Sequence, residues 1–214
     1  QIMLANPTFK TMFINTFADL FNTSFSQPVM NARFQAIVAG LMPLINEHIS
    51  RWRPQNATVQ SWMNELNIIQ DFINRREAGF IPIIQQQYGL GNAARVALNV
   101  TVNDNTMGRV RINTVDLGLE GRLADVVKGW TGLYFPNVPV TATAIPAPGF
   151  KFVGWQGASM SNQAEISLTL NAPAMLTATF APDPMWKPPV PVVPPPAPPG
   201  LRNVALGAFA NQSS

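Results

Sequence analysis

With 214 residues, 47% hydrophobic and 12% charged, the chain can bury a sizeable core, as one large domain or two small ones. Its formal charge of +3 is spread evenly, about +1 over each of residues 1–90, 91–182 and 183–214, which excludes the clustered Lys and Arg of a nucleic-acid binder. No cysteine is present, which excludes a disulfide framework and thiolate metal sites.

No uninterrupted apolar run reaches the roughly 18 residues of a membrane span, and no membrane span is expected. Gln1 is not an initiator and no signal peptide opens the sequence, so the chain reads as a segment of a longer polypeptide. Residues 6–25 predict a helix: Asn6 is placed to cap, Pro7 suits the first turn, and Phe9, Met12, Phe13, Phe17, Leu20 and Phe21 recur at helical spacing. A second helix starts near Ser26-Gln-Pro28, with Pro43 expected to kink or split it near Gly40 and Arg51-Trp52-Arg53-Pro54 to end it. A third begins near Thr58, with Val59, Trp62, Met63, Leu66, Ile69, Phe72 and Ile73 as its apolar stripe. A shorter fourth helix is expected from about Ala78 to Tyr88, stopped by Gly89 or Gly91. Apolar faces this broad should pack on each other and on something upstream.

Strands take over at Val96. Val96–Val102 and Gly108–Ile112, joined by Asn103-Asp-Asn105, read as a hairpin, and residues 114–129 as an extended loop. From Trp130 to Phe180 apolar and polar residues alternate, with Gly or Pro at each reversal, the pattern of short antiparallel strands. Half of the prolines lie between Pro182 and Pro199; this run should form a stiff polyproline spacer, eighteen residues spanning on the order of 55 Å, that packs on its own β domain or a neighbouring chain. Leu201–Gly207 is apolar enough for a strand, but the last fourteen residues are too few to fold alone.

Leu4-Ala-Asn-Pro-Thr-Phe9, Phe17-Ala-Asp-Leu-Phe-Asn22-Thr, His48-Ile-Ser-Arg51-Trp52, Trp62 and Phe72-Ile-Asn-Arg75-Arg76 resemble the last helices of the CotH family, the spore-coat-type atypical protein kinases. Gly149-Phe-Lys-Phe-Val-Gly-Trp155 and Leu176-Thr-Ala-Thr-Phe180 are similar to divergent internalin-type B-repeats. Leu201–Ser214 looks like the opening of a discoidin-type domain, with Ala208-Phe-Ala-Asn211 in place of the usual Lys-Pro-Ala-Thr. The first resemblance implies kinase machinery upstream: a phosphate-contacting Lys, a catalytic-loop Asp with its Asn, and a metal-binding Asp. None can be placed here, since the four lysines, at 10, 128, 151 and 187, lack a nucleotide-binding context.

Several side chains are candidates for chemistry, each against a plainer role. His48, the sole histidine, has no second His or Cys to share a metal and reads as a capping or packing residue beside Arg51 and Trp52. Asp71, Arg75 and Arg76 could clamp a phosphate, but their spacing suits a helix-surface ion pair. Trp130, Tyr134, Phe150, Phe152 and Trp155 could stack sugars, though alternating aromatics more often fill a core; Tyr134 and Trp155 are the candidate exposed glycan or partner contacts. On a regular strand Phe150 and Phe152 share one face and Trp155 takes the other. Asp104, Asp116, Glu120 and Asp125 match no calcium loop and read as solvated acids. Asn22-Thr-Ser, Asn56-Ala-Thr and Asn99-Val-Thr match the glycosylation pattern, which chance readily supplies.

The expectation is an α+β chain: a helical bundle subdomain over residues 1–92, a small antiparallel β domain over 93–182, a proline-rich linker over 183–200 and a truncated discoidin-like start over 201–214. Functionally it reads as a non-catalytic structural segment of a secreted bacterial CotH-like protein, with the tail of an active kinase, or a glycan-binding module, as alternatives. No catalytic residue, metal or cofactor is expected. The expected partners are proteins or copies of itself in a cell-surface or extracellular assembly, with glycans as a further candidate.

Overall fold

The structure, a computed structural model, describes residues 6–52, 58–118 and 129–188. It is α+β: helices first, then two small sheets rich in antiparallel pairs. Helix α1 (Pro7–Asn22) starts as its sequence dictates, Asn6 Oδ1 accepting the Thr8 and Phe9 amides at 2.9 and 3.2 Å. Helix α2 (Gln27–Leu41) passes through a 3₁₀ turn (Met42–Leu44) into α3 (Ile45–Trp52), and Pro43, which has no amide to donate, sits in that turn. Thr58 and Ser61 form a reciprocal capping pair at the start of α4 (Val59–Tyr88). Gly89, at φ 64°, ends it, and the Leu90 amide donates to Gln85 O at 2.9 Å.

Helix α4 is one continuous helix of 30 residues, not the two expected. Pro82 costs it one hydrogen bond, but the last turns are held from outside. Ile84 is buried with the strands, Ile81 and Tyr88 pack against them, and Gln85 Nε2 donates to Ala93 O at 2.7 Å. Tertiary packing here overrides local propensity.

The eight strands are β1 (Val96–Val102), β2 (Gly108–Ile112), β3 (Val115–Leu117), β4 (Trp130–Tyr134), β5 (Pro139–Pro146), β6 (Phe150–Gly157), β7 (Glu165–Thr169) and β8 (Ala174–Pro182). One sheet runs β4-β1-β8-β6, the other β3-β2-β5-β7, and a single buried cluster draws on both. All pairs are antiparallel except β1 with β8, which is parallel. The expected β1–β2 hairpin does not form, because the two strands lie in different sheets. Asn103 is the cause: its amide donates to Ala178 O, and its side chain both accepts from Phe180 N and donates to Phe180 O at 2.9 Å. The chain is pinned to β8 there and crosses to the other sheet. Residues 115–117, expected in a loop, form β3 on a two-residue turn with Asn113 at φ 47°.

A bulge in β6 changes which side chains meet. Phe152 faces Phe180 and Gly154 faces Thr179, leaving Val153 as an extra residue on that strand. Trp155 is thereby returned to the face of Phe152, with ring centroids 5.2 Å apart, where a regular strand would send it to the opposite face.

Only the first residues of the proline-rich stretch are described. Asp183 N–H donates to Gly149 O at 2.9 Å, so the segment starts against β6, while residues 189–214 lie outside the described residues. Gly157 closes β6 at φ 93°, where a Cβ would strike the Met175 carbonyl. Gly157→Ala therefore combines an unfavourable backbone conformation with a clash against fixed main chain. It should cost about 3 kcal/mol, read as a lowered urea midpoint for the full chain with unchanged slope.

Candidate functional site

The most heavily built polar site is a seam between α1 and the strands. Asn15, Asp19 and Asn22 fall at i, i+4 and i+7, one face of the helix, and Asn15 and Asp19 are buried. Asp19, 2% exposed, receives four hydrogen bonds. Its Oδ2 accepts from Thr114 N at 3.0 Å and Thr114 Oγ1 at 2.7 Å; its Oδ1 accepts from Tyr134 OH at 3.0 Å and Asn113 Nδ2 at 3.3 Å. Asn15 Nδ2 donates to Pro139 O at 2.7 Å, and Asn113 Oδ1 accepts the Thr141 amide at 2.9 Å. Asn22 reads Leu133 as a neighbouring strand would, its Oδ1 taking the amide at 2.8 Å and its Nδ2 donating to the carbonyl at 3.1 Å.

Burial raises the Asp19 carboxyl above its ordinary range, outweighing the donors from Thr114, Asn113 and Tyr134, which pull the other way. The Tyr134 phenol is pushed far up by burial first and by the Asp19 carboxylate second. These hydrogen bonds join α1 to the β2–β3 turn and to β4.

The two candidate contact residues, Tyr134 and Trp155, are both buried. Tyr134 is fully buried with its hydroxyl spent on Asp19, and Trp155 is 2% exposed with its indole N–H donating to Gln163 O at 2.9 Å. Trp130 is buried as well. Trp130, Tyr134 and Trp155 thus belong to the core, the bulge at Val153 turning Trp155 inward, and these three offer no exposed stacking face.

The remaining candidates separate into plain roles. Asp71 and Arg75 pair one turn apart on the exposed surface of α4. Asp104 caps its own turn through Thr106 N at 2.8 Å and Oγ1 at 2.7 Å, which lowers its carboxyl. Asp116 pairs with Arg111 Nε at 2.9 Å. Glu120, Asp125 and Asn56 lie outside the described residues. Asn99 Nδ2 donates to Thr131 Oγ1 at 3.0 Å. His48 is exposed, and its neighbour Glu47 pairs with Arg51 at 3.2 Å. No three His, Asp or Glu side chains converge among the described residues.

A second feature, which periodicity alone concealed, is the way α2 meets α4. Their contact is a ladder of amides: Gln27 Nε2 donates to Asn74 Oδ1 at 2.9 Å, Gln70 Nε2 to Asn31 Oδ1 at 2.6 Å, and Gln35 Nε2 to Gln70 Oε1 at 3.1 Å. Beside this ladder Phe34, Val38, Trp62 and Leu66 are half-buried, but many apolar residues point outward. Neither α2 nor α3 buries a residue, and Ile37, Leu44, Ile68 and Phe72 are all more than half exposed. By length and composition the run Gln27–Trp52 could cross a membrane, a property hidden in the sequence because Pro43 and the amides divide its apolar stretches. A helix whose apolar side is covered by protein has the same composition.

Comparison with known proteins places two family models on this architecture. Residues 1–79 match the CotH kinase protein model, and residues 98–184 match the divergent InlB B-repeat domain model. No curated protein and no solved structure matches the chain. The first span covers α1 to α3 and two thirds of α4; the second covers all but the start of the strands. Neither reaches residues 201–214, where the discoidin resemblance lies.

Asp19→Ala strands four donors at the seam and should cost about 3 kcal/mol in urea unfolding. Asp19→Asn tests the sign of the titration. The folded carboxyl sits above the usual 3.8, so its linkage contribution is complete below that pH and is lost as pH rises through the folded value. The stability advantage of the native chain over Asp19→Asn should therefore shrink from pH 4 to pH 7, as read from paired urea titrations.

Proposed function

We propose that the chain is a non-catalytic structural and interaction segment of a secreted bacterial multidomain protein of CotH type. It would hold a CotH-like helical end rigidly against a B-repeat-like β unit within a cell-surface or extracellular assembly. The observation that carries this reading is the Asp19 seam. Its donors come from two separate parts of the strands, and its acceptor comes from the helix that the CotH match covers. Such a junction fixes the orientation of two units, which is what a spacer in a larger protein has to do. The proposed division puts the helical unit at residues 1–92 and the β unit at 93–182, with 183–200 as a stiff spacer to whatever follows.

The CotH kinase match favours a second reading, in which these helices close the lobe of an active atypical kinase. Phosphoryl transfer needs a lysine on the nucleotide phosphates and acidic metal ligands nearby. Among the described residues the lysines are Lys10 on α1, Lys151 on β6 and Lys187 beyond β8, widely separated along the fold.

A kinase assay tests the first reading. The full 214-residue chain, incubated with labelled ATP and Mg²⁺ or Mn²⁺, should incorporate no phosphate into itself or into a mixed peptide substrate set. Incorporation that follows the purified chain through two chromatographic steps would overturn the non-catalytic reading.

A further inference from the structure

The outward face of α4 carries a groove of about 490 Å³ whose apolar walls are Ile68, Phe72, Phe80 and Ile83. Arg76 lines it too, and its situation is unusual. The guanidinium is stacked on the Phe25 ring at 4.3 Å, with Phe21 and Phe72 at 5.6 and 5.8 Å. Its Nε is buried without a hydrogen-bond partner, and no carboxylate pairs with it among the described residues. The acids nearest in sequence are already committed: Asp71 to Arg75, and Glu77 to Arg95. The groove therefore combines exposed apolar walls with one oriented, unneutralised cation.

We infer that this groove docks an amphipathic helix of a partner protein, one that carries a carboxylate among its apolar residues and places it on Arg76. The apolar positions recur at i, i+4, i+12 and i+15 along a single helix face, the spacing of anchors in helix-in-groove recognition. The fixed guanidinium supplies the charge half of a complementary pair. A second copy of this chain fits the same face poorly. Antiparallel pairing that sets Ile68 against Ile83 sets Arg76 against the other copy's Arg75, whose Asp71 is already committed to it, so a second copy brings Arg76 no free carboxylate. The proposal gives the interaction part of the reading above a surface and a partner chemistry, and rests on it only there. The kinase assay can fail without touching it.

The test is selection from a displayed library of helical peptides, each about 18 residues or five turns long, on the full 214-residue chain. Enriched peptides should share an apolar i, i+3 or i+4 pattern with one Glu or Asp. Replacing that acid by its amide, or making Arg76→Met, should each weaken binding about tenfold or more by fluorescence anisotropy, and the two losses should not add. Because Arg76 also stacks inside the fold, Ile83→Ser provides the control. It is exposed, should leave the circular dichroism and urea midpoint unchanged, and should still weaken binding. Three results would overturn the proposal: no enrichment, binders indifferent to both variants, or a dimer of the chain in sedimentation that Ile83→Ser dissolves.

Discussion

A buried carboxylate has to be surrounded by donors, and satisfying Asp19 determines much of how this chain closes. Leaving water is costly for the ion, and only a full set of short hydrogen bonds makes the position tenable. Three of those four donors sit on the β2–β3 turn and the fourth on β4, so α1 can occupy its place only when both parts of the strands are already correctly registered. Asn15 and Asn22, a turn to either side, repeat the requirement with backbone groups of β5 and β4. The helix is thus located along its length by polar contacts whose geometry admits little sliding, while Ile14 and Ala18 contribute burial that would tolerate it. Position comes from the amides and the acid, and cohesion from the apolar cluster.

The opposite arrangement holds the other helices. Where α2 lies on α4, the contact includes a row of Gln and Asn side chains, and many apolar residues face out. Amide pairs specify alignment well but contribute little net stability in water, about 1 kcal/mol each. A helical arm of this kind keeps its register while leaving a broad apolar surface uncovered, which suits a unit completed by further protein. The surplus cation of Arg76 lies on that surface.

Local signals were legible in the sequence wherever one residue type decides the backbone: Asn6 and Pro7 at the start of α1, Pro43 at the 3₁₀ turn, Thr58 and Gly89 at the two ends of α4. The α+β class and the order of its parts follow from the change of period near Val96. What was illegible depended on partners distant along the chain. Asn103-Asp-Asn105 looks like a hairpin turn until Asn103 is seen bonded to β8, some 77 residues further on. Alternation through Phe150–Trp155 fails at Val153, since a bulge leaves no mark on composition. Asp19 did leave a trace. An acid flanked at four and three residues by Asn15 and Asn22, within an otherwise apolar helix, is a polar stripe, and such stripes need donors. The phenylalanines dominate the helix's periodicity and mask this stripe.

The parallel pairing of β1 with β8 has a mechanical consequence. The β unit's first and last strands lie side by side and point the same way, so the chain enters at one end of this pair and leaves at the other. Tension applied between entry and exit runs along the strands and loads the five-residue ladder from Leu98–Ala174 to Val102–Ala178 in shear. Its hydrogen bonds must then yield together, whereas a hairpin pulled from its open end releases them singly. The topology therefore resists extension along the chain axis far better than the strength of any one bond would suggest.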